Sequence, residues 1–251
     1  IYTCTIVGSV RCVLETGLAV PDSAAVGRFY CDILGMTDQS DGLGYGEQQA
    51  HLKFVQGPAQ PPSSDGFYWK MGITLPNLDV AATHLRQSAV SISQPRQFED
   101  IGYMAHCVDP AGATIELLQQ GPKGSEPDLE AGHPVANSAI LAHVTLRVRD
   151  LAAAQNWCAE QGLHLISVQP LDAYGFTLYF YAYNQETPPH GSLTAVANRP
   201  WLWRRPYTLL ELQHLHGAGS RPGASGPLLA LEARDAQSAG SISLPLAGLN
   251  V

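Results

Sequence analysis

Apolar and polar positions along this chain follow two rhythms that keep trading places. From Cys12 to Val20 they alternate. Leu14, Thr16, Leu18 and Val20 point one way; Val13, Glu15, Gly17 and Ala19 point the other. Period two is the signature of a strand with one face on a core. Pro21-Asp22-Ser23 then opens a helix in which Val26, Phe29, Tyr30 and Ile33 fall at i, i+3, i+4 and i+7, and Gly35 closes it. The plan returns at Phe67 to Leu75, where Asn77 caps a helix running through Ala89 with Leu78, Ala82 and Leu85 on one side. It returns again at Leu141 to Val148, with Asp150 capping Leu151 to Gln161 and Gly162 stopping it, and once more from Leu228. The four copies, Leu14–Asp22, Trp69–Asn77, Ala142–Asp150 and Pro227–Asp235, are one supersecondary unit used repeatedly. One position inside the repeat holds Glu15, Lys70, His143 and Leu228 in turn.

Short strands follow each helix. In the first unit they close with Ala50 to Val55 before a loop rich in Pro, Ser and Gly from Gln56 to Asp65. In the second they run from Tyr103 to Val108, turn at Asp109-Pro-Ala-Gly112, and end with Ala113 to Leu118. In the third, Phe176 to Tyr183 and Tyr207 to His214 are strands, separated by a long loop containing Pro188, Pro189 and Pro200. Within that loop, Trp201 to Pro206 reads as a strand approach that buries two indoles. After Asp235 the fourth helix signal is broken by Gly240, and Ser241 to Val251 are too few for three further strands, so this copy is expected to be truncated or degenerate. The fold class is α+β. The expected division is a first domain over 1–120, a Gly-, Pro- and acid-rich linker over 121–136, and a second domain over 137–251.

With 251 residues the chain can bury a sizeable core. A net charge of −8 argues against nucleic acid, whose phosphates require a basic face. No apolar stretch reaches the ~20 residues that span a bilayer. Charged residues make up 14%, against a usual value of about 25%. Either the core is large, or partner subunits cover part of the outside. The five cysteines, Cys4, Cys12, Cys31, Cys107 and Cys158, are scattered with no CxxC pair, which suggests neither a zinc site nor a disulfide framework and fits a reducing compartment. The first residue is Ile1. A cytoplasmic protein, or an organellar one after removal of a targeting segment, would both suit this.

Several strings resemble members of the vicinal oxygen chelate superfamily, whose plan is a βαβββ unit used in pairs. Phe29–Met36 resembles its first-helix signature. Asp109–Leu117 resembles its closing strand, with the ligand glutamate at Glu116. His143–Asp150, Phe176–Tyr183 and Tyr207–His214 are similar to glyoxalase I, the lactoylglutathione lyase. The resemblance implies Gln or His on first strands and Glu on last strands around one divalent ion (Zn, Ni, Fe or Mn), which polarises a glutathione hemithioacetal while a glutamate moves a proton. It also implies that Arg147 binds the glutathione carboxylate.

Against that pattern, the first unit offers Glu15 and Lys53, the second Lys70 and Glu116, the third His143 and Glu211, and the fourth Leu228. A charged ammonium has no lone pair to give and a leucine has no donor atom, so Lys53, Lys70 and Leu228 read as degenerate ligand positions, and Glu15, set with lysines in an ion-pair network, is counted with them. If the second unit faces the third, Glu116, His143 and Glu211 meet around one centre with Lys70 in the fourth place. Those three could hold a metal, with Glu211 or Glu116 as base. His214 lies on the opposite strand face from Glu211, and His106, His133 and His216 lack ligand spacing. The expected function is therefore a glyoxalase I-like protein with a degenerate metal site, serving as a non-catalytic subunit of a larger complex. Two alternatives stand beside it: an active metal-dependent lactoylglutathione lyase, and a metal-free protein that binds small molecules in an aromatic cup. An extradiol dioxygenase would need two His and one Glu, and only His143 fills a His slot.

Overall fold

The structure, a computed structural model, describes residues 12–58, 66–127, 132–219, 222–223, 226–235, 241–246 and 249. The loop expected over 56–65, the middle of the 121–136 linker and the break at 236–240 lie partly or wholly outside them. In chain order the elements are β1 (Cys12–Val20), α1 (Ser23–Arg28), β2 (Thr37–Gln39), β3 (Gly42–Gly44), β4 (Leu52–Gln56), β5 (Tyr68–Leu75), α2 (Leu78–Gln87), β6 (Arg96–Phe98), β7 (Gly102–Val108) and β8 (Thr114–Gln119). The second half adds β9 (Ile140–Val148), α3 (Leu151–Glu160), β10 (His164–Leu171), β11 (Phe176–Ala182), α4 (Arg199–Leu202), β12 (Leu209–Leu215), β13 (Leu228–Asp235) and β14 (Ser241–Ser243).

In the first three units the repeated cap forms by the same bond. Asp22 Oδ1 accepts from the Ala25 N–H at 2.9 Å, Asn77 Oδ1 from Val80 at 3.1 Å and Asp150 Oδ1 from Ala153 at 2.9 Å. Each satisfies a donor that the first helical turn leaves open. The strand faces divide as the alternation requires. Met71, Ile73 and Leu75 pack with Leu78, Ala81 and Leu85, and Val144, Leu146 and Val148 with Ala154, Trp157 and Cys158, in one continuous core. Each buried Leu or Ile contributes about 1.5–3 kcal/mol, so the helices are held by the sheets rather than by their own propensity.

Two expectations differ, and one strand was not expected. The first helix is α-helical only to Arg28 and loosens into a π-helical turn over Phe29–Ile33. Strand β10 is not marked by any alternation: it ends the sheet, and its half-exposed positions and Pro170 blur the period. Trp201–Pro206 is no strand approach but the end of α4 and a turn, in which Trp203 is the buried indole, its Nε1–H donating to the Ile101 carbonyl at 3.1 Å.

The strands form two sheets. One has the order β14-β13-β1-β4-β3-β2 and the other β10-β11-β12-β9-β5-β8-β7-β6. The larger sheet joins the second unit to the third through the antiparallel pair β5/β9, and the smaller joins the first to the fourth through β1/β13. Each sheet therefore draws strands from both sides of the 121–136 linker.

Candidate functional site

The pairing of β5 with β9 builds the centre. Register sets Gly72 between Glu116 of β8 and His143 of β9, and Lys70 opposite Thr145, which in turn lies beside Glu211 of β12. All of these side chains belong to the face turned away from the helices. The structure thus brings together Lys70, Glu116, His143 and Glu211, from 0 to 4% exposed.

His143 fits only because Gly72 carries no side chain. A Cβ there would lie 2.0 Å from the imidazole. Nε2 of His143 lies 3.3 Å from Glu116 Oε1 and 3.1 Å from Glu211 Oε2, yet it is aligned for a hydrogen bond with neither. Lys70 Nζ hydrogen-bonds Glu116 Oε2 directly. The same oxygen accepts from His106 Nε2 at 3.1 Å. Burial alone would push the Glu116 carboxyl up, but the Lys70 ammonium, with His106 and His143 acting the same way, holds it well below the usual carboxylate range. Glu211 is differently placed: its Oε1 is buried without a hydrogen-bond partner.

His106 lacks ligand spacing along the chain, and yet the hairpin delivers it to the centre. Asp109 Oδ1 accepts from the Ala111 and Ala113 N–H groups at 2.9 and 2.8 Å, and Gly112 takes a positive φ of 88°, which fixes the turn. Counting outward from that turn puts His106 opposite Glu116, and this is the signal by which the sequence could have found it.

The other candidates go elsewhere. Arg147 is buried under the sheet's polar face, with Nε donating to Gln213 Oε1 at 3.0 Å, Nη1 to the Gly66 carbonyl at 3.2 Å, and its guanidinium 5.0 Å from the Trp69 ring centre. It does not line the cavity described below. His214 lies tilted against His216 and edge-on to Tyr179, away from Glu211. His133 accepts from the Val135 and Ala136 N–H groups in a loop. In the smaller sheet, Lys53 Nζ lies 3.8 Å from Glu232 and 4.0 Å from Asp41. For Glu15 only the strand position is described, opposite Glu232. Leu228 needs correction. A bulge after Gly17 pairs it with Leu18, and the residue facing Gly17, as His143 faces Gly72, is Ala230. The fourth unit slides by two residues against the simple repeat.

A cavity of about 560 Å³ opens over the centre. Its floor carries Lys70, His106, Glu116 and Glu211. Its walls carry the rings of Trp69, Phe98, Tyr174, Phe176, Phe180 and Trp203. A second cavity of about 530 Å³ beside α2 is lined by surface groups such as Asp79, Thr83 and Lys123 and reaches none of the buried charges.

Lys70 competes with a divalent ion for this centre. Among the described residues no group of three or more His, Cys, Asp or Glu is placed to hold a metal. The physical reason is Lys70. Its ammonium already takes Glu116, and a cation entering beside it would meet a like charge in a buried setting. Of the remaining donors, Glu116 Oε1 and Glu211 Oε2 crowd the one nitrogen His143 Nε2, at 3.3 and 3.1 Å, and His106 Nε2 is spent on Glu116 Oε2.

Residues 12–117 match the family model described as Glyoxalase/Bleomycin resistance protein/Dioxygenase superfamily. The crystal structure of glyoxalase I from Zea mays is similar at a TM-score of 0.64 and 17% identity, covering 88% of this chain and 74% of that one. A putative dioxygenase from Bacillus subtilis subsp. subtilis str. 168 is similar at 0.50 and 15%, covering 86% and 67%. At these identities the likeness is one of fold. No curated protein matches the chain.

Proposed function

We propose that this chain, a glyoxalase I-like member of the vicinal oxygen chelate superfamily, binds a small molecule in the cavity of its larger sheet and does not run the lyase reaction. One observation carries the reading: the Lys70 ammonium occupies Glu116, a position where the metal-dependent chemistry needs a free donor. Removing that donor takes away the ion that would polarise a hemithioacetal. What remains is a cleft lined by six aromatic side chains over a few convergent polar groups, the usual make-up of a ligand site. A non-catalytic role needs no other machinery. A binding protein draws on this cavity, whereas a purely structural subunit leaves it without a use. A lyase using Glu116, His143 and Glu211 would first have to swing Lys70 aside.

The test is direct. The purified chain is equilibrated with Zn²⁺ or Ni²⁺, dialysed and assayed for bound metal, then for isomerisation of the methylglyoxal–glutathione hemithioacetal. The expected result is less than one ion per chain and no turnover above the uncatalysed rate. Lys70→Gln, which frees Glu116, is expected to gain an ion that His143→Ala then loses. One ion per unmodified chain, with activity, would overturn the proposal.

A further inference from the structure

We infer that the ligand of this cavity is an organic cation, a protonated or quaternary amine on an apolar body. This rests on the binding reading above and deepens it. Two observations lead here. The first is an imbalance of charge acceptors on the floor. Glu116 is met by Lys70 and by a hydrogen bond from His106. Glu211 is 1% exposed, lines the cavity, and has among the described residues no Lys or Arg within ion-pair distance. Its Oε2 lies 3.1 Å from His143 Nε2, and its Oε1 has no partner. A buried carboxylate oxygen left without a donor is costly, and a cationic or N–H-bearing guest would remove that cost.

The second is the walls. Register sets Phe180 directly beside Glu211 on β11, and Phe180 meets Trp203 edge to face with centroids 5.5 Å apart. Rings around a carboxylate form the cage that selects ammonium ligands, because the electron-rich ring face attracts positive charge once water is excluded. The chain already uses rings here in that way. Lys70 Nζ lies 4.5 Å from the Trp69 centroid and the Arg96 guanidinium 5.9 Å from that of Phe98. Phe180 and Trp203 have no such cation of their own among the described residues. An anionic guest could meet Arg96 at the wall, but on the floor it would face Glu211, with Lys70 already committed to Glu116. A metal ion would need the donor that Lys70 holds. An amine needs neither, since it brings its own charge and its own apolar contact.

Three probes of one shape decide the matter: phenyltrimethylammonium, uncharged tert-butylbenzene and anionic benzenesulfonate. Each is titrated into the full chain, with binding read by calorimetry and by quenching of Trp69 and Trp203. The cation is expected to bind about tenfold or more tighter than the neutral probe, as a desolvated ring–cation contact allows, and the anion most weakly. Glu211→Gln is expected to erase that preference while keeping the neutral probe's affinity. Phe180→Leu, which leaves the carboxylate in place, is expected to reduce cation binding more than neutral binding. Equal binding of cation and neutral probe, or a preference that survives Glu211→Gln, would overturn the inference and leave the binding reading standing. Failure of all three probes to bind would sink both.

Discussion

The two sheets carry the same register of slots, and they treat them in opposite ways. In the larger sheet, Gly72 sits between Glu116 and His143; in the smaller, Gly17 sits between Lys53 and Ala230. Each has its bulge directly after the glycine. Yet the Lys70–Glu116 pair is almost wholly buried, while Lys53 keeps 36% of its side chain in solvent beside Glu232. The void beside Gly72 is filled by an imidazole, whereas the space beside Gly17 is bounded by Ala230: a Cβ added at Gly17 would lie 3.7 Å from both the Ala230 Cβ and its backbone nitrogen. Common geometry therefore does not give common energetics. Burial decides whether a charge in the slot is a structural commitment or a solvated ornament.

The sharpest way to break this contrast is to truncate the lysines. Lys70→Ala leaves Glu116 buried without its ammonium and should cost about 3–5 kcal/mol in denaturant unfolding. Equal loss from Lys53→Ala would erase the distinction. Next comes the glycine pair. Gly72→Ala drives a methyl into the His143 ring and should cost about 1–3 kcal/mol, with a change in the near-ultraviolet signal of Trp203, whose ring lies 6.2 Å from His143. Gly17→Ala meets ordinary contact distances and should change stability by no more than about 0.5 kcal/mol.

Acid then separates the buried centre. The Glu116 carboxyl is held well below its ordinary value in the folded chain, so its stabilisation is complete above the unfolded pKa of about 4.3. It drains away as pH falls toward and through the folded value. A plot of unfolding free energy against pH should therefore fall less steeply below about pH 4.3 in Glu116→Gln than in the unmodified chain. Matching slopes would mean that Lys70 does not hold the carboxylate. Lys53→Ala, whose pair is partly exposed, is expected to change stability by about 1 kcal/mol at most, and less in high salt.

Much of this arrangement can be read along the chain because alternation is local. Val144, Leu146 and Val148 against His143, Thr145 and Arg147 follow from the pleat alone, and so do the cap residues Asp22, Asn77 and Asp150. Which unit faces which does not. The joining of β5 to β9 is a long-range choice made by two apolar faces closing on one core, and the alternation of either strand is silent about its partner. The two-residue slide that sets Ala230 rather than Leu228 against Gly17 is likewise a property of the pair. His106 lay within reach, since its hairpin is local and its turn is written in Asp109 and Gly112. Arg147 carried the right residue type at the expected place, but Gln213, the Gly66 carbonyl and Trp69 hold it under the sheet, and none of those three is adjacent in sequence.

The turn at Asp109 is also a ruler. Its two bonds to Ala111 and Ala113 measure how far β7 travels before it lies against β8. One inserted residue that the turn failed to absorb would slide the strand by a single step. His106 would then point to the helix side, and the Cys107 thiol would come to rest over Glu116 in its stead. Swapping an imidazole for a sulfur beside the ring-lined cavity would offer oxidants and alkylating agents a thiol there, through a change in loop length alone.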